Sequence, residues 1–205
     1  MTSILLVTSS PRGEASHSTR LATELADKLR TTQSAATLVK RDLVQDPLPH
    51  IEPDFASGIY TPADDRSEKQ ARLVAVSDAA VDEVLAADTI VIATGIINFS
   101  ISSTLKSWLD HVARAGRTFR YTESGPEGLV KNKKVYLVVA SGGVYSQGAA
   151  AVFDHAVPYL KTLLTFLGMS DIEVIRIEGV GMGAEAEQRA LSSALNVVSE
   201  LAMAA

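Results

Sequence analysis

Short, continuous apolar runs alternate along the chain with segments in which apolar residues recur every three or four positions. Ile4–Val7 reads as a buried strand, Thr37–Leu43 as a second and more mixed one, and Thr89–Ala93 as a third, rich in β-branched residues. Val135–Ala140 and Ile172–Ile177 supply a fourth and a fifth. Between them, Leu21, Leu25 and Leu29, with Ala22 and Ala26 beside them, mark a helical face from Ser18 to Arg30. Val74, Val81 and Leu85 lie in a helical stretch from about Arg66 to Ala86, and Leu105, Trp108, Leu109 and Val112 follow the i, i+3, i+4, i+7 spacing. Leu160, Leu163, Leu164 and Leu167 give a further helix that Gly168 stops, and Leu191, Leu195 and Val198 place the last.

Five apolar strands, each followed by a helix, predict an α/β architecture, a parallel sheet covered by helices on both faces. Five strands fit a doubly wound sheet of order 2-1-3-4-5 better than an eight-stranded barrel. With 205 residues, no internal repeat and no low-complexity linker, a single domain over residues 1–205 is expected. Two segments exceed the usual short connection: Val44–Asp65, which holds Pro47, Pro49, Pro53 and Pro62, and Gly116–Lys134. Loops of that length are more often functional than accidental, so both are read as rims or lids.

In a sheet of this order, ligands bind beyond the carboxyl ends of the strands where the strand order reverses. The loops Thr8–Ser18, Thr94–Ser103 and Ser141–Gly148 should therefore carry the chemistry. The first, with Thr8, Ser9, Ser10, Ser16, Ser18 and Thr19, is dense in hydroxyls and leads into a helix N-terminus, a ready anion site. A terminal phosphomonoester suits it better than a pyrophosphate, which prefers glycines; the alternative is a loop that merely caps its helix. The middle loop sets Asn98 among Ile96, Ile97 and Phe99, an apolar wall with one two-sided polar group, as in pockets for flat rings. Its alternative is a simple extension of the strand through Ile96 and Ile97. In the third, the Gly142-Gly143 pair permits close backbone approach to a ligand edge, or simply a tight turn.

Composition narrows the chemistry. With no cysteine there is no disulfide, thiol nucleophile, cysteine-held metal or CxxC pair, so any electron transfer must run through a bound cofactor. A net charge of −5 argues against nucleic acid as a partner. No apolar run approaches the ~18 residues of a membrane helix, and no basic segment precedes Ile4, so no membrane association is expected and the cytoplasm is the expected compartment. GxxxxGK[ST] and GxGxxG patterns are missing from the first loop, which disfavours a nucleotide triphosphatase and a dinucleotide site. Gly179–Gly183 is glycine-rich but follows the edge strand, away from the switch point. His17, His50, His111 and His155 lack metal-ligand spacing and read as single surface residues. Lys106, Arg114, Arg117 and Arg120 read as a solvated basic face, able also to attract an anionic cosubstrate.

Read together, Ser9-Ser10-Pro11 with Gly13–Ser16, Asn98-Phe99 through Lys106, Ala115–Glu123 with its TFRYTE segment, Gly125–Leu129 with GPEG, and Gly142–Ser146 resemble the FMN-dependent NADH-azoreductases. These are flavodoxin-like enzymes that also reduce quinones, and the similarity runs over nearly the whole chain. The resemblance implies FMN as cofactor, its phosphate held by Ser10, Ser16, His17 and Ser18, and its ring framed by Ile96, Ile97, Asn98, Phe99, Ala140, Ser141, Gly142 and Gly143. It implies NADH, or NADPH, as donor, a quinone or aromatic azo acceptor, and a homodimer in which Tyr121 serves the neighbouring subunit. Tyr121 and Tyr145 are candidates for the substrate-pocket wall. The expected mechanism is ping-pong two-electron hydride transfer at the flavin N5, with no acid–base pair required. Amides near Asn98, Gly142 and Gly143 would stabilise charge on the reduced ring. The competing reading is a flavodoxin-like electron carrier, against which the two long segments weigh because a carrier needs an open flavin edge. The chain departs from the family at Ile96-Ile97 (usually Met-Tyr), at Ser102 (usually Pro) and at Ala140-Ser141 (usually Ser-Arg), which is where flavin potential and substrate range should differ.

Overall fold

The computed structural model describes residues 2–32 and 36–204, so the two ends of the expected 1–205 domain and residues 33–35 lie outside the described residues. Strands β1 (Ser3–Thr8), β2 (Thr37–Asp42), β3 (Thr89–Gly95), β6 (Lys134–Ser141) and β7 (Asp171–Glu178) form one parallel sheet in the order β2-β1-β3-β6-β7. That is the doubly wound order expected from the five apolar runs; four strands are two residues longer than the run that marks them, and β2 stops one residue short of its run, at Asp42. Strands β4 (Phe119–Thr122) and β5 (Gly125–Gly128) form a separate antiparallel hairpin.

The sheet separates two cores by strand alternation. Leu5, Val7, Ile90, Ile92, Leu137 and Val139 face one side. There they meet helices α3 (Glu68–Ala86), α4 (Ser103–Val112) and α5 (Val157–Phe166). Ile4, Leu6, Val91, Ala93, Val138 and Ile175 face the other, against α1 (His17–Thr32) and α6 (Ala184–Ala204). Helix α3 begins where Ser67 and Gln70 cap each other reciprocally, and α5 ends as Gly168 turns to φ +106°. No helix among the described residues is long and apolar enough to cross a membrane.

Both long segments contain structure that the apolar pattern does not announce. Val44–Asp65 holds the short helix α2 (Pro53–Gly58), whose Phe55 is buried. Gly116–Lys134 is the β4–β5 hairpin, seated on α5 through Val130 N–H to Leu167 O (2.9 Å) and Phe119 against Phe166.

His111 is a correction to the sequence reading. It is fully buried on α4 rather than on the surface, with its ring against Phe55 and Nε2 2.9 Å from the carbonyl oxygen of Pro49. Nε2 therefore carries the proton and donates, while Nδ1 is buried without a partner. Burial pushes the imidazole pKa below its ordinary value. The unfolded chain takes up the proton first, so stability is intact above about pH 6.5 and falls as the pH drops through that value toward the lowered one. His111→Gln still donates to Pro49 but does not titrate. It is expected to flatten the decline in thermal midpoint between about pH 7 and about pH 5; an unaltered decline would remove His111 as its source.

Candidate functional site

The carboxyl ends of β1, β3 and β6 bring the three loops to one edge of the sheet. Ser9 Oγ donates to Ala93 O across 3.0 Å, tying the first loop to β3. Gly13, at φ +54°, turns the chain back, its N–H on Ser10 O (3.0 Å). Ser16 accepts from the Arg20 amide at its carbonyl and thereby caps α1, with its Oγ 3.0 Å from Ser18 Oγ. Ser10, Ser16 and Ser18 are all buried here.

Beyond them, the amides of His17, Ser18 and Thr19 find no acceptor among the described residues, and Thr19 Oγ1 is buried without a partner. Free amides at a helix N-terminus flanked by hydroxyls could hold a phosphomonoester. The His17 side chain points elsewhere, its Nε2 2.9 Å from Glu187 Oε1 on α6, so its contribution to the loop is its amide.

At the second loop, Ile96 N–H adds one bond to β6 through Ala140 O (2.8 Å), and there the strand pairing ends. Ile97 and Ser100 exchange both backbone bonds (2.9 and 3.0 Å) around Asn98 at φ 48° and Phe99 at φ 70°. This is a two-residue primed turn rather than an extension of the strand. A phenylalanine held in the left-handed region is costly, and such strain clusters at functional sites. The amides of Asn98, Phe99, Gly142 and Gly143 have no acceptor among the described residues. Amides without acceptors on that turn and on the glycine pair could take the edge of a ring.

Ser102, in place of a proline, still fixes the start of α4. Its φ is −64° and its Oγ accepts from the Leu105 amide. Proline holds φ near −65° by its ring; here the cap does so by a hydrogen bond.

Ser141 is buried and donates from Oγ to Gly143 O (2.8 Å). The Gly179–Gly183 loop, set aside in the sequence, braces this turn: Val180, Gly181 and Gly179 donate to Ser141, Gly142 and Gly143 carbonyls at 3.2, 3.0 and 3.1 Å. A Cβ on Gly181 would lie 3.2 Å from Gly142 O, so the two backbones pass in tight contact. Tyr145 donates its amide to Glu178 Oε1 (2.9 Å) and turns its ring edge-on to Phe99, with centroids 6.0 Å apart. Tyr121 is not brought to this edge. It sits 75% exposed on the hairpin, against Phe119, at the end of α5 that lies away from these loops.

The basic stretch is not a free patch. Lys106 pairs with Asp110, Arg117 with Asp78 and Asp82, and Arg120 with Glu127. Arg114 is buried between Ser77 and Asp78, with burial pushing its pKa down. Each cation is neutralised locally, which leaves none of the four free to draw an anionic cosubstrate.

Fold and loops together define a flavodoxin-like α/β protein with its candidate site at the strand-order reversal, and residues 2–201 match the family described as a flavodoxin-like fold. The chain is 65% identical over 192 residues to an FMN-dependent NADH:quinone oxidoreductase of Mesorhizobium japonicum, covering 94% of this chain and 91% of that one. The crystal structure of an azoreductase from Bacillus anthracis superposes with a TM-score of 0.91 at 32% identity, covering 98% and 99% of the two chains. A B. anthracis FMN-dependent NADH-azoreductase solved in complex with FMN gives 0.88 at 25% identity, covering 98% of this chain and 100% of that one. The chain belongs to the family of FMN-dependent NADH:quinone oxidoreductases and azoreductases.

Proposed function

We propose that this chain is an FMN-dependent oxidoreductase that takes electrons from NADH and delivers them to quinones and aromatic azo compounds. The observation that carries the reading is the pairing of two unlike half-sites along one sheet edge. Three acceptor-free amides beside Ser10, Ser16 and Ser18 suit a phosphomonoester, and the left-handed Asn98-Phe99 turn beside Gly142-Gly143 suits a flat ring. The relative at 65% identity is named for the same donor, cofactor and quinone acceptor, and the azo acceptor comes from the structural neighbour at 25% identity.

When bound, FMN would supply two-electron chemistry, accepting hydride from the nicotinamide and passing it to the acceptor in ping-pong order. The work of the chain is binding and orientation. The α1 amides and the serine hydroxyls hold the phosphate. The Asn98, Phe99, Gly142 and Gly143 amides face the ring edge, where donors stabilise added negative charge. Phe99 and Tyr145 would form an apolar wall on one side. Residues 1–205 act as one FMN-binding domain, in the cytoplasm where NADH is at hand.

A homodimer is part of this reading. Ile97, Phe99, Val152 and Phe153 are exposed around the ring-side loops, and Tyr121 is exposed on a hairpin that its own loops do not reach. A second copy would cover the first group and find a use for the second.

The deciding experiment starts with the purified protein and FMN, adds NADH and then NADPH without oxygen, and finally offers a quinone and an azo dye. Bleaching of the flavin by NADH and its recovery with either acceptor are expected, with a dimer by sedimentation. Protein that takes up no FMN defeats the reading. Bound flavin that neither nucleotide bleaches identifies an electron carrier instead.

A further inference from the structure

Three charged side chains at the carboxyl end of β7 form a network of which the site described above involves only Glu178, through the Tyr145 amide. Arg176 Nη2 lies 2.6 Å from Asp154 Oδ2, and its Nη1 lies 3.2 Å from Glu178 Oε1. The Asp154 side chain is 5% exposed, that of Glu178 12% and that of Arg176 23%, so the group is largely out of water. Charges that far from solvent persist only where they are paired and hydrogen-bonded, and both carboxylates have further work.

Asp154 Oδ1 accepts from the Ala156 and Val157 amides (3.1 and 2.9 Å), fixing the start of α5. The adjoining His155 amide donates to Phe99 O (3.0 Å), which holds the left-handed turn from behind. Glu178 Oε1 accepts from the Tyr145 amide (2.9 Å), which holds the loop after β6. Among the described residues, Arg176 is the one group that touches both carboxylates. Through them it ties together the three segments that carry the aromatic wall: Phe99, Tyr145 and Phe153, whose ring centroid is 5.1 Å from that of Phe99.

The phosphate end has no such dependence. Ser10, Ser16 and Ser18 are ordered by β3 and by the start of α1, on the far side of the strand reversal from β7.

We propose that Arg176 is a positioning residue that sets the aromatic wall of the ring-side loops, and so governs how well the acceptor binds rather than whether the cofactor does. This rests on the oxidoreductase reading for the word acceptor, but not for the geometry. Removing the guanidinium leaves Asp154 and Glu178 facing one another without a counter-charge, and the two carboxylates then separate, carrying the α5 start and the Tyr145 loop apart. Side chains that align a substrate act steeply, since a small displacement of the wall costs productive geometry while leaving remote anchoring untouched.

The test uses the FMN-loaded protein and its flavin-free form. Arg176→Met keeps the length and removes the charge. Asp154→Asn keeps the helix cap through Oδ1 and loses the ion pair; Glu178→Gln keeps an acceptor for Tyr145 and loses the charge. In Arg176→Met, hydrogen exchange at the Tyr145 and His155 amides is expected to speed up by about tenfold or more, while β6 core amides hold their protection. The quinone KM is expected to rise about tenfold, with the FMN dissociation constant within about twofold of the parent.

Arg176→Lys, which reaches one carboxylate at a time, should recover part of the KM. If Arg176→Met does not fold, the Asp and Glu variants carry the same expectations at smaller size. Unchanged exchange at Tyr145 and His155 overturns the positioning role, and it reads out even in protein that binds no flavin. Faster exchange with an unmoved KM overturns the link to the acceptor. Failure of the parent protein to take up FMN counts against the oxidoreductase reading alone.

Discussion

Ser16→Asp is expected to abolish retention of FMN while leaving the fold as stable as the parent, or more so. Ser16 is the residue that caps α1, and three amides beyond it have no acceptor of their own. Aspartate is as good a cap as serine, and a carboxylate at a helix N-terminus gains about 0.3–1 kcal/mol from the aligned peptide dipoles. The same carboxylate occupies the place where a phosphomonoester would bring its own charge. Two unit charges about 4 Å apart repel by about 4 kcal/mol at an effective dielectric of about 20, which with screening leaves a loss on the order of a hundredfold or more in affinity.

Titration followed by quenching of flavin fluorescence checks this with FMN and with riboflavin, which lacks the phosphate. FMN should weaken to about the affinity of riboflavin, riboflavin should barely change, and the thermal midpoint of the flavin-free protein should hold or rise. Undiminished FMN binding would mean that the phosphate lies elsewhere.

The sheet was legible because its strands are buried on both faces, and burial on both faces writes itself as uninterrupted apolar runs: Ile4–Val7, Thr89–Ala93 and Val135–Ala140 each fall inside an observed strand. The strand order in turn selects the loops that carry Ser16, Asn98 and Gly142, because they follow the strands at the reversal point.

Other parts of the molecule left weaker traces. In β4 and β5 most residues are partly or fully exposed, so FRYT and GPEG carry no periodicity; their pairing depends on a contact with α5 some forty residues away. His111 lies on the apolar face of α4, but nothing local says that the Pro49 carbonyl waits there to receive its proton. The β7 end did carry a signal. In Val174-Ile175-Arg176-Ile177-Glu178 charged residues alternate with apolar ones on an edge strand, which places Arg176 and Glu178 on one face. The glycines after it lie beyond the edge strand in sequence, and their use as a brace for Gly142-Gly143 depends on a backbone contact that only the fold creates.

Gly128→Ala should be the most destabilising of these substitutions, and for a reason visible only in three dimensions. A Cβ on Gly128 would lie 2.2 Å from the Gly168 amide nitrogen and 2.3 Å from the Leu167 carbonyl carbon. Those are backbone atoms at the end of α5, and no rotamer change can move them. Gly168 is itself at φ +106°, with Gly128 atoms 3.0 and 3.1 Å from where its own Cβ would be, so each glycine leaves room for the other's backbone to pass. A methyl group there lifts the base of the hairpin off α5, breaking the Val130–Leu167 hydrogen bond and parting Phe119 from Phe166. A two-stranded hairpin has little stability of its own, so the whole segment through Tyr121 loosens with it. Overpacking against immovable atoms costs about 3 kcal/mol, which in a chain of this size lowers the thermal midpoint by roughly 6–12 °C. Gly125→Ala is the internal control. Gly125 has φ +115° but open space around its Cβ position, so it should lose only about 1 kcal/mol from backbone strain. FMN affinity should survive both changes, because the phosphate loop lies on the far side of β3, while quinone turnover should fall in Gly128→Ala if Tyr121 serves the pocket of a second copy. Equal losses of stability in the two variants would show that the Gly128–Gly168 crossing can relax and is not what seats the hairpin.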